Sequence, residues 1–307
     1  MVAHAEHCVE HGQRCPDCRG SLTCEGCRTH GGTYLWELRC ESCSKRTHYE
    51  TYRYLLEPAV QRPNYERVSH TFTTPRGNTA TMFYRQDTND WNTIFASMTE
   101  DEYGLRSLPP LSGFAVDIGA HIGSVGIGLA IDNPGLKVIC VEPVPDNISI
   151  LRANIAINNV EDRMTLIDAA AGGPDDKETV VDWGYVGEPH LEHHAFIGNT
   201  ALVYEFGSNP TFEHREQVAE CFSLSRLMRL GGIERLALLK IDCEGCEWRV
   251  LTDSAVDCID VILGEWHNVP LRGQRGNRDS VLSLLPNHNV VFSGPVHGPG
   301  GFFAVHK

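Results

Sequence analysis

The sequence predicts an α/β fold: a Rossmann-like, seven-stranded, mostly parallel sheet with a C-terminal antiparallel hairpin, preceded by a small zinc-binding module. Seven short apolar runs occur from residue 114 onward, and helix-like stretches separate the first of them. Buried parallel strands have this continuous apolar character. Seven of the 12 cysteines lie within residues 1–43, and in a chain without a recognisable export signal such clustering favours metal binding.

Composition limits the classes of function. The chain has 307 residues, 41% of them apolar, which is enough for one α/β domain and a small module. The formal charge of −14 disfavours a broad nucleic-acid surface. No apolar run is long enough to cross a membrane. We therefore expect a cytoplasmic protein with neither nucleic acid nor membrane as a partner; its oligomeric state is left open.

Changes in composition divide the chain into three parts. Residues 1–57 form the predicted zinc module, residues 58–113 a polar linker and cofactor-lid entry segment, and residues 114–307 the α/β domain. The long polar stretch at residues 184–218 is expected to be a functional loop.

The strands of the α/β domain follow the apolar runs. A helix over residues 148–158 separates two of them and indicates a right-handed crossover between parallel strands. A Gly- and Pro-rich turn at residues 294–301 joins the last two runs too closely for a crossover, so a hairpin is predicted there. The seven runs are residues 114–118, 137–141, 164–167, 236–241, 261–263, 290–292 and 302–305.

The cysteine pairs have the spacing of a zinc ribbon. Two Cys-x-x-Cys pairs 21 residues apart, Cys15 with Cys18 and Cys40 with Cys43, predict one closed four-thiolate site. Two further pairs, Cys8 with His11 and Cys24 with Cys27, supply ligands for a second ion. Sequential use of neighbouring pairs would employ the same residues, so the pairing and the number of ions, one or two, stay open. A closed thiolate site would be structural.

The first strand of the sheet ends in a glycine turn, with Gly119 and Gly123 on either side of His121. This spacing differs from the G-x-G-x-x-G of dinucleotide folds, where a helix N-terminus holds a pyrophosphate. Glu142 ends the second strand, where a carboxylate can hold ribose hydroxyls. Glycines that allow close backbone approach, together with such a carboxylate, indicate a cofactor that carries ribose but no phosphate, namely S-adenosylmethionine.

Acidic residues follow the fourth and fifth strands. Asp242 and Glu244 come directly after one strand, and Glu265 and His267 after the next. Ligands bind at the carboxyl ends of parallel strands, so these residues are expected to meet at one pocket. Glu247 has two interpretations, a residue of this site or one that only favours the first turn of a helix.

Several motifs in order resemble the FkbM family of S-adenosylmethionine-dependent methyltransferases. The resemblance covers roughly residues 70–307 and implies a class I methyltransferase sheet that serves O-methylation of small metabolites. It places Asp117, Gly119, Gly123 and Glu142 at the cofactor and Asp168 near its adenine, with a turn former as the alternative for Asp168. From its place in the turn, His121 is expected near the methionine part of the cofactor or is only a variable position of the loop. The motifs are residues 90–91, 94–103, 117–123, 142–147 with Leu151, Asn154 and Asn158, residues 170–172 and residues 239–247.

Methyl transfer by direct displacement requires alignment and removal of a proton. His267 is the first candidate for general base because its ordinary pKa lies nearest neutral pH, with Asp242 or Glu244 as alternatives. Mg²⁺ held by Asp242 and Glu265 could replace a base. Cys243 and Cys246 are interpreted as packing residues.

The leading hypothesis is an O-methyltransferase that acts on a hydroxyl or carboxyl oxygen of a small-molecule or carrier-bound natural-product acceptor, which the zinc module recruits. A protein or peptide methyltransferase, including an N-methyltransferase, is the alternative within the enzymes. A non-catalytic zinc-dependent binding protein is the alternative from another class, and the missing G-x-G-x-x-G disfavours a dehydrogenase.

Overall fold

The computed structural model describes residues 66–86, 88–173, 177, 218–267, 277–293 and 300–307 in full, and the backbone of residues 22–30, 33–40, 46–52, 178–186 and 212–217. The chain divides into two compact units, residues 1–64 and residues 65–307. In the described residues, no helix has both the length and the apolar character needed to cross a membrane.

The first unit contains an antiparallel sheet in the order β1-β2-β3, formed by β1 (Leu22–His30), β2 (Thr33–Cys40) and β3 (Arg46–Tyr52). Cys24 and Cys27 belong to the backbone of β1, and Cys40 ends β2 opposite Leu22. Their side chains lie outside the described part of the chain, as do the whole of residues Cys8, His11, Cys15, Cys18 and Cys43. The zinc sites therefore stay predictions.

Two sheets and a hairpin make up the strands of the second unit. The strands are β4 (Arg67–Thr73), β5 (Thr79–Arg85), β6 (Gly113–Ile118), β7 (Leu136–Glu142), β8 (Met164–Asp168), β9 (Ala170–Ala171), β10 (Glu178–Val186), β11 (Phe212–Phe222), β12 (Leu236–Ile241), β13 (Ile259–Trp266), β14 (His288–Phe292) and β15 (Gly300–His306).

The central sheet has seven strands in the order β14-β15-β13-β12-β6-β7-β8. All neighbouring pairs are parallel except those of β15, which runs antiparallel to β13 and to β14. The predicted class I methyltransferase-like sheet and its C-terminal hairpin are thus confirmed. Apolar side chains alternate between the faces, with Ala115 and Leu238 in one buried cluster and Val116 and Leu239 in the other. Both faces are covered, which explains the continuous apolar runs.

Short helices connect the strands. Pro145 occupies the first turn of the helix predicted over residues 148–158, where its fixed φ and missing N–H cost nothing. The helices are α1 (Asp90–Ile94), which continues as a π-helix over Phe95–Glu100, α2 (Ser124–Asp132), α3 (Pro145–Ile157), α4 (Leu224–Gly231), α5 (Glu247–Val250) and α6 (Arg278–Leu284), with 3₁₀ turns at Leu105–Ser107 and Ser254–Cys258.

The segment before the sheet differs from the predicted linker. From residue 65 onward it belongs to the same compact unit as the sheet, and β4 and β5 form an antiparallel hairpin there. Phe72, Met82 and Met98 are buried in the cluster that covers one sheet face. The Asn154 side chain of α3 accepts from the backbone N–H of Phe83 (2.6 Å) and donates to the Phe83 carbonyl (3.0 Å). These contacts fix the entry segment on the fold.

A second sheet, in the order β10-β11-β9, follows β8 in the chain. Strands β10 and β11 pair antiparallel from Glu178 with Glu220 to Val186 with Phe212. The predicted functional loop at residues 184–218 overlaps both strands. The residues between them, 187–211, lie outside the described part of the chain.

Candidate active site

The glycine turn between β6 and α2 contains three residues with positive φ: Gly119 (74°), His121 (51°) and Gly123 (94°). The N–H groups of Gly119 and Ala120 both donate to the carbonyl of Val141, at 3.1 and 3.2 Å. Left-handed backbone is uncommon for a residue with a side chain. The conformation at His121 therefore marks a turn that its surroundings hold in place.

Protein atoms explain why both glycines are needed. A Cβ on Gly119 would collide with the backbone carbonyl of Asp242, and a Cβ on Gly123 would collide with the Leu151 side chain. The sequence attributed these glycines to the approach of a cofactor. In the structure, the close approach at Gly119 is that of the strand β12, which brings the two predicted halves of the site into backbone contact.

Glu142 ends β7 and is 4% exposed. Its Oε1 accepts from the N–H of Val144 (3.0 Å) and from Asn147 Nδ2 (3.1 Å), and its Oε2 accepts from the N–H of His121 (2.8 Å). Burial raises the pKa of Glu142 to about 7, although these hydrogen bonds favour the carboxylate. Because a carboxylate oxygen has two acceptor positions, Oε2 can accept one hydroxyl more.

A buried ion pair of the entry segment contacts the glycine turn. Arg85 Nε and Nη2 each lie 2.8 Å from an oxygen of Asp90, and Nη2 also donates to Asn147 Oδ1 (2.9 Å). His121 Nε2 lies 3.4 Å from Asp90 Oδ1. Burial would raise the pKa of Asp90, but the charge and hydrogen bonds of Arg85 outweigh burial and lower it. The charged pair thus connects the hairpin to His121 and, through Asn147, to Glu142.

Two predicted cofactor residues lie in different surroundings. Asp117 is fully buried; its Oδ2 accepts from the N–H of Gly126 (3.0 Å), and its Oδ1 lies 3.4 Å from Lys240 Nζ. These contacts tie β6 to α2 and β12. Asp168 is exposed and stands opposite Glu142 in the pairing of β7 with β8. Its predicted place near the adenine stays a prediction, whereas Asp117 contacts protein groups within the fold.

Asp242 follows β12 at the same edge of the sheet. Its Oδ2 accepts a hydrogen bond from the Tyr103 hydroxyl at 2.8 Å. Burial alone would raise the pKa of Asp242, but the charges of Lys240 and His267 and the Tyr103 hydrogen bond lower it. The sequence analysis did not place Tyr103 in the site; it named the residue only as the end of the motif at residues 94–103. It brings an aromatic ring from that segment to the acceptor end.

His267 lies among three carboxylates. The sequence predicted that it would meet Glu244 and Glu265 and left the role of Glu247 open. Its Nδ1 is 2.9 Å from Glu247 Oε1, and its Nε2 is 3.2 Å from Glu244 Oε2 and 3.5 Å from Glu265 Oε2. Burial lowers the pKa of His267, but hydrogen bonds to Glu247 and Glu265 and the charges of Glu244 and Glu247 raise it to about 12.

The surroundings of His267 bear on its predicted role as general base. Its Nδ1 lies within hydrogen-bond distance of Glu247 Oε1, and the neighbouring carboxylates raise its pKa, which favours the protonated ring. An imidazolium has no lone pair with which to take a proton, so His267 must first lose a proton to act as a base. The role of general base stays a prediction.

The acidic loop between β12 and α5 is closed by a disulfide between Cys243 and Cys246. Both cysteines pack against a buried apolar cluster, as predicted, and their spacing also allows the bond across the loop, which the sequence analysis did not predict. Glu247 is fully buried; its Oε1 accepts from the N–H of Cys243 (3.1 Å), and its Oε2 accepts from the N–H of Gly245 (2.9 Å). Besides starting α5, Glu247 therefore orders the loop and binds His267.

A divalent cation has one candidate site in the described residues. Ligand atoms of Asp242, Glu244 and His267 lie within 4.8 Å of one another. The predicted Mg²⁺ pair was Asp242 with Glu265. Since His267 Nε2 lies between Glu244 and Glu265, it would have to lose its proton before it could bind a metal. Mg²⁺ stays a prediction.

Comparison with known proteins identifies similar chains. The family model described as Methyltransferase FkbM domain matches residues 117–292. Methyltransferase sdnD of Sordaria araneosa is 29% identical over 178 residues, which are 50% of this chain and 64% of that protein. The chain thus spans less than two thirds of the length of this relative.

Solved structures show weaker similarity. Precorrin-6y C5,15-methyltransferase of Geobacter metallireducens is 14% identical, with a TM-score of 0.35, over 64% of this chain and 80% of that one. TYW2 of P. horikoshii, solved in complex with MeSAdo, is 11% identical, with a TM-score of 0.37, over 78% of this chain and 72% of that one. Neither adds to the topology described above.

The contact at Gly119 predicts a large effect for a single methyl group. Gly119→Ala should lower the free energy of unfolding by about 3 kcal/mol or more, because a Cβ there meets backbone atoms that cannot rotate away. Gly77→Ala is the matched control, since Gly77 also has positive φ (86°) but no atom within 4 Å of its added Cβ. It should cost only about 1 kcal/mol. Equal costs in urea denaturation would contradict the contact.

The raised pKa of His267 predicts how stability depends on pH. A histidine with a raised folded pKa stabilises the protein fully below its unfolded pKa of about 6.5 and loses that contribution as pH rises toward about 12. From pH 7 to 9, the free energy of unfolding should therefore fall in the wild type relative to His267→Gln, by up to roughly 1.4 kcal/mol per pH unit. Chemical denaturation of both proteins, with exposed His70→Gln as control, measures this slope. Parallel curves would show that His267 is neutral.

Proposed function

The chain belongs to the FkbM methyltransferase family, and we propose that it transfers the methyl group of S-adenosylmethionine to a hydroxyl oxygen of a small-molecule or carrier-bound acceptor. The observation that carries this proposal is the backbone contact between the glycine turn and Asp242, which puts the donor half and the acceptor half of the site side by side.

The residues at the glycine turn fit the cofactor. Glu142 is a buried carboxylate at a strand end with one remaining acceptor position for a ribose hydroxyl. Its orientation is fixed by three hydrogen bonds. His121 and the exposed Asp168 stand on either side of it, toward the predicted methionine and adenine parts. Bound S-adenosylmethionine supplies an electrophilic methyl group on a sulfonium.

The charges at the acceptor end favour a hydroxyl over a carboxylate acceptor. Glu244 and Glu265 face the site beside Asp242, and His267 neutralises only part of this charge. A carboxylate acceptor would meet like charges at short range, which is unfavourable. The Tyr103 hydroxyl directs Asp242, and the lowered pKa of Asp242 favours its carboxylate form. Asp242 is therefore the proposed group that orients an acceptor hydroxyl and takes its proton.

Two other functions predicted from the sequence remain alternatives. A peptide or protein acceptor, including an N–H acceptor, would use the same donor half, with the zinc module binding the polypeptide. A non-catalytic binding protein would retain the zinc module but show no methyl transfer. The acidic acceptor end also suits an amine, so the methylated atom must be identified in the product.

Titration with S-adenosylmethionine, followed by calorimetry, tests the proposed function. The wild type should bind it, and Glu142→Ala should bind about tenfold or more weakly, because a carboxylate hydrogen bond to the ribose is lost. Asp242→Asn should keep cofactor affinity but lose roughly 100-fold in methyl transfer to hydroxylated acceptors, followed by mass spectrometry.

Exposed Asp279→Asn serves as the control carboxylate and should match the wild type in both measurements. A wild type that binds no S-adenosylmethionine would refute the proposed function. Product analysis separates O-methylation from N-methylation.

We further propose that residues 1–57 bind one or two zinc ions through the four predicted ligand pairs. The module is too small to bury a core of its own, so metal binding would contribute most of its folding free energy. Thiolate sites of this kind leave no position for substrate, which makes recruitment of the acceptor the proposed role.

Elemental analysis of the purified protein tests the zinc proposal. One or two zinc ions per chain are expected, and Cys15→Ser combined with Cys18→Ser should remove one of them, because two thiolates of a four-ligand site are lost. Cys258→Ser is the control, since this free cysteine belongs to the other compact unit. Protein purified without chelator that contains no zinc would refute the proposal.

A further inference from the structure

Lys240 is a buried charge that the proposed chemistry does not use. It belongs to β12, two residues before Asp242, and is 3% exposed. Burial of an ammonium is strongly unfavourable unless the group is paired and fully hydrogen-bonded. The partners of Lys240 therefore indicate its role.

Those partners belong to the glycine turn and the strand before it. Lys240 Nζ donates to the carbonyl of Gly119 at 2.9 Å and to that of Ile118 at 3.4 Å. Its third neighbour is Asp117 Oδ1, also at 3.4 Å. A side chain from the strand of the acceptor half thus ends on the backbone of the donor half.

The contacts of Lys240 are with groups of the fold. Nζ donates to two backbone carbonyls, those of Gly119 and Ile118, and forms an ion pair with Asp117 Oδ1 at 3.4 Å. The centroid of the Tyr103 ring, at the acceptor end, lies 5.6 Å from Nζ. These contacts indicate a positioning role for Lys240.

We propose that Lys240 is a positioning residue that fixes the cofactor-binding turn at Gly119 against the acceptor end of β12. This inference rests on the proposed function for its meaning, because the turn and the strand end are the donor and acceptor halves of the methyl-transfer site. Lys240 acts by binding the carbonyls of Gly119 and Ile118. This contact holds the N–H groups of the turn, and the Glu142 carboxylate that binds one of them, in place relative to β12.

Two substitutions separate charge from hydrogen bonding. Lys240→Met removes both, whereas Lys240→Gln retains an N–H donor for the Gly119 carbonyl. Calorimetric titration with S-adenosylmethionine should show affinity about tenfold or more weaker for Lys240→Met and an intermediate loss for Lys240→Gln. Exposed Lys137→Met, on β7, is the matched control and should bind like the wild type.

Local hydrogen exchange supplies a second readout that does not depend on the cofactor. The amide of Gly119 is hydrogen-bonded to Val141 of β7, and the amide of Asp242 to Ile118 of β6. In Lys240→Met, peptides over residues 116–124 and 239–246 should exchange faster together, while residues 259–266 keep the wild-type rate. A residue that only supports overall stability would accelerate all three segments alike.

Folding of the variants has its own control. Lys240→Met leaves the buried Asp117 without its cation, so Asp117→Asn combined with Lys240→Met removes both charges and should unfold at a higher temperature than Lys240→Met alone. If a folded Lys240→Met or the double variant binds S-adenosylmethionine within twofold of the wild type and keeps wild-type exchange at both strand ends, the proposal is overturned. If the wild type does not bind this cofactor, the proposed function fails, and hydrogen exchange alone decides the role of Lys240.

Discussion

The backbone of Asp242 lies directly against the backbone of Gly119, and its N–H donates to the carbonyl of Ile118 at 3.1 Å. This contact exists because β6 and β12 are parallel neighbours at the centre of the sheet and end at the same edge. No side chain fits between the two strand ends, so residue 119 must be glycine. The glycine turn and the acidic loop are therefore in direct contact, so a displacement of one must move the other.

Electrostatics sets the character of the acceptor end. Glu247 is fully buried and binds both the acidic loop and His267, and the carboxylates around the histidine raise its pKa and favour the charged ring. Tyr103 adds a hydroxyl from the entry segment. The same edge of the sheet thus has two differently built halves. Charged side chains bind the backbone of the glycine turn, as Glu142 and Lys240 do. The acidic loop is closed by a disulfide and ordered by the Glu247 side chain.

The sequence predicted the sheet well because buried parallel strands produce continuous apolar runs, and it predicted the meeting of Glu244, Glu265 and His267 because neighbouring strands end together. It did not predict the raised pKa of His267, which depends on a distance to Glu247 that spacing along the chain does not fix. Arg85 and Tyr103 come from the segment before the sheet, whose short polar hairpin has little periodic signal. The disulfide was missed because Cys-x-x-Cys serves metal binding and bond formation equally well.

The Cys-x-x-Cys pairs of this chain have one observed and one proposed chemistry. The bond between Cys243 and Cys246 closes the loop that carries Glu244, whereas the zinc sites proposed for the N-terminal unit require thiolates. A reductant that protects those thiolates would add two electrons and two protons to the loop disulfide and open it. Since cytosolic thiols are kept reduced, the oxidation state of the acidic loop depends on the compartment and on the storage buffer. A reducing buffer that protects the proposed zinc thiolates thus opens the disulfide of the acidic loop.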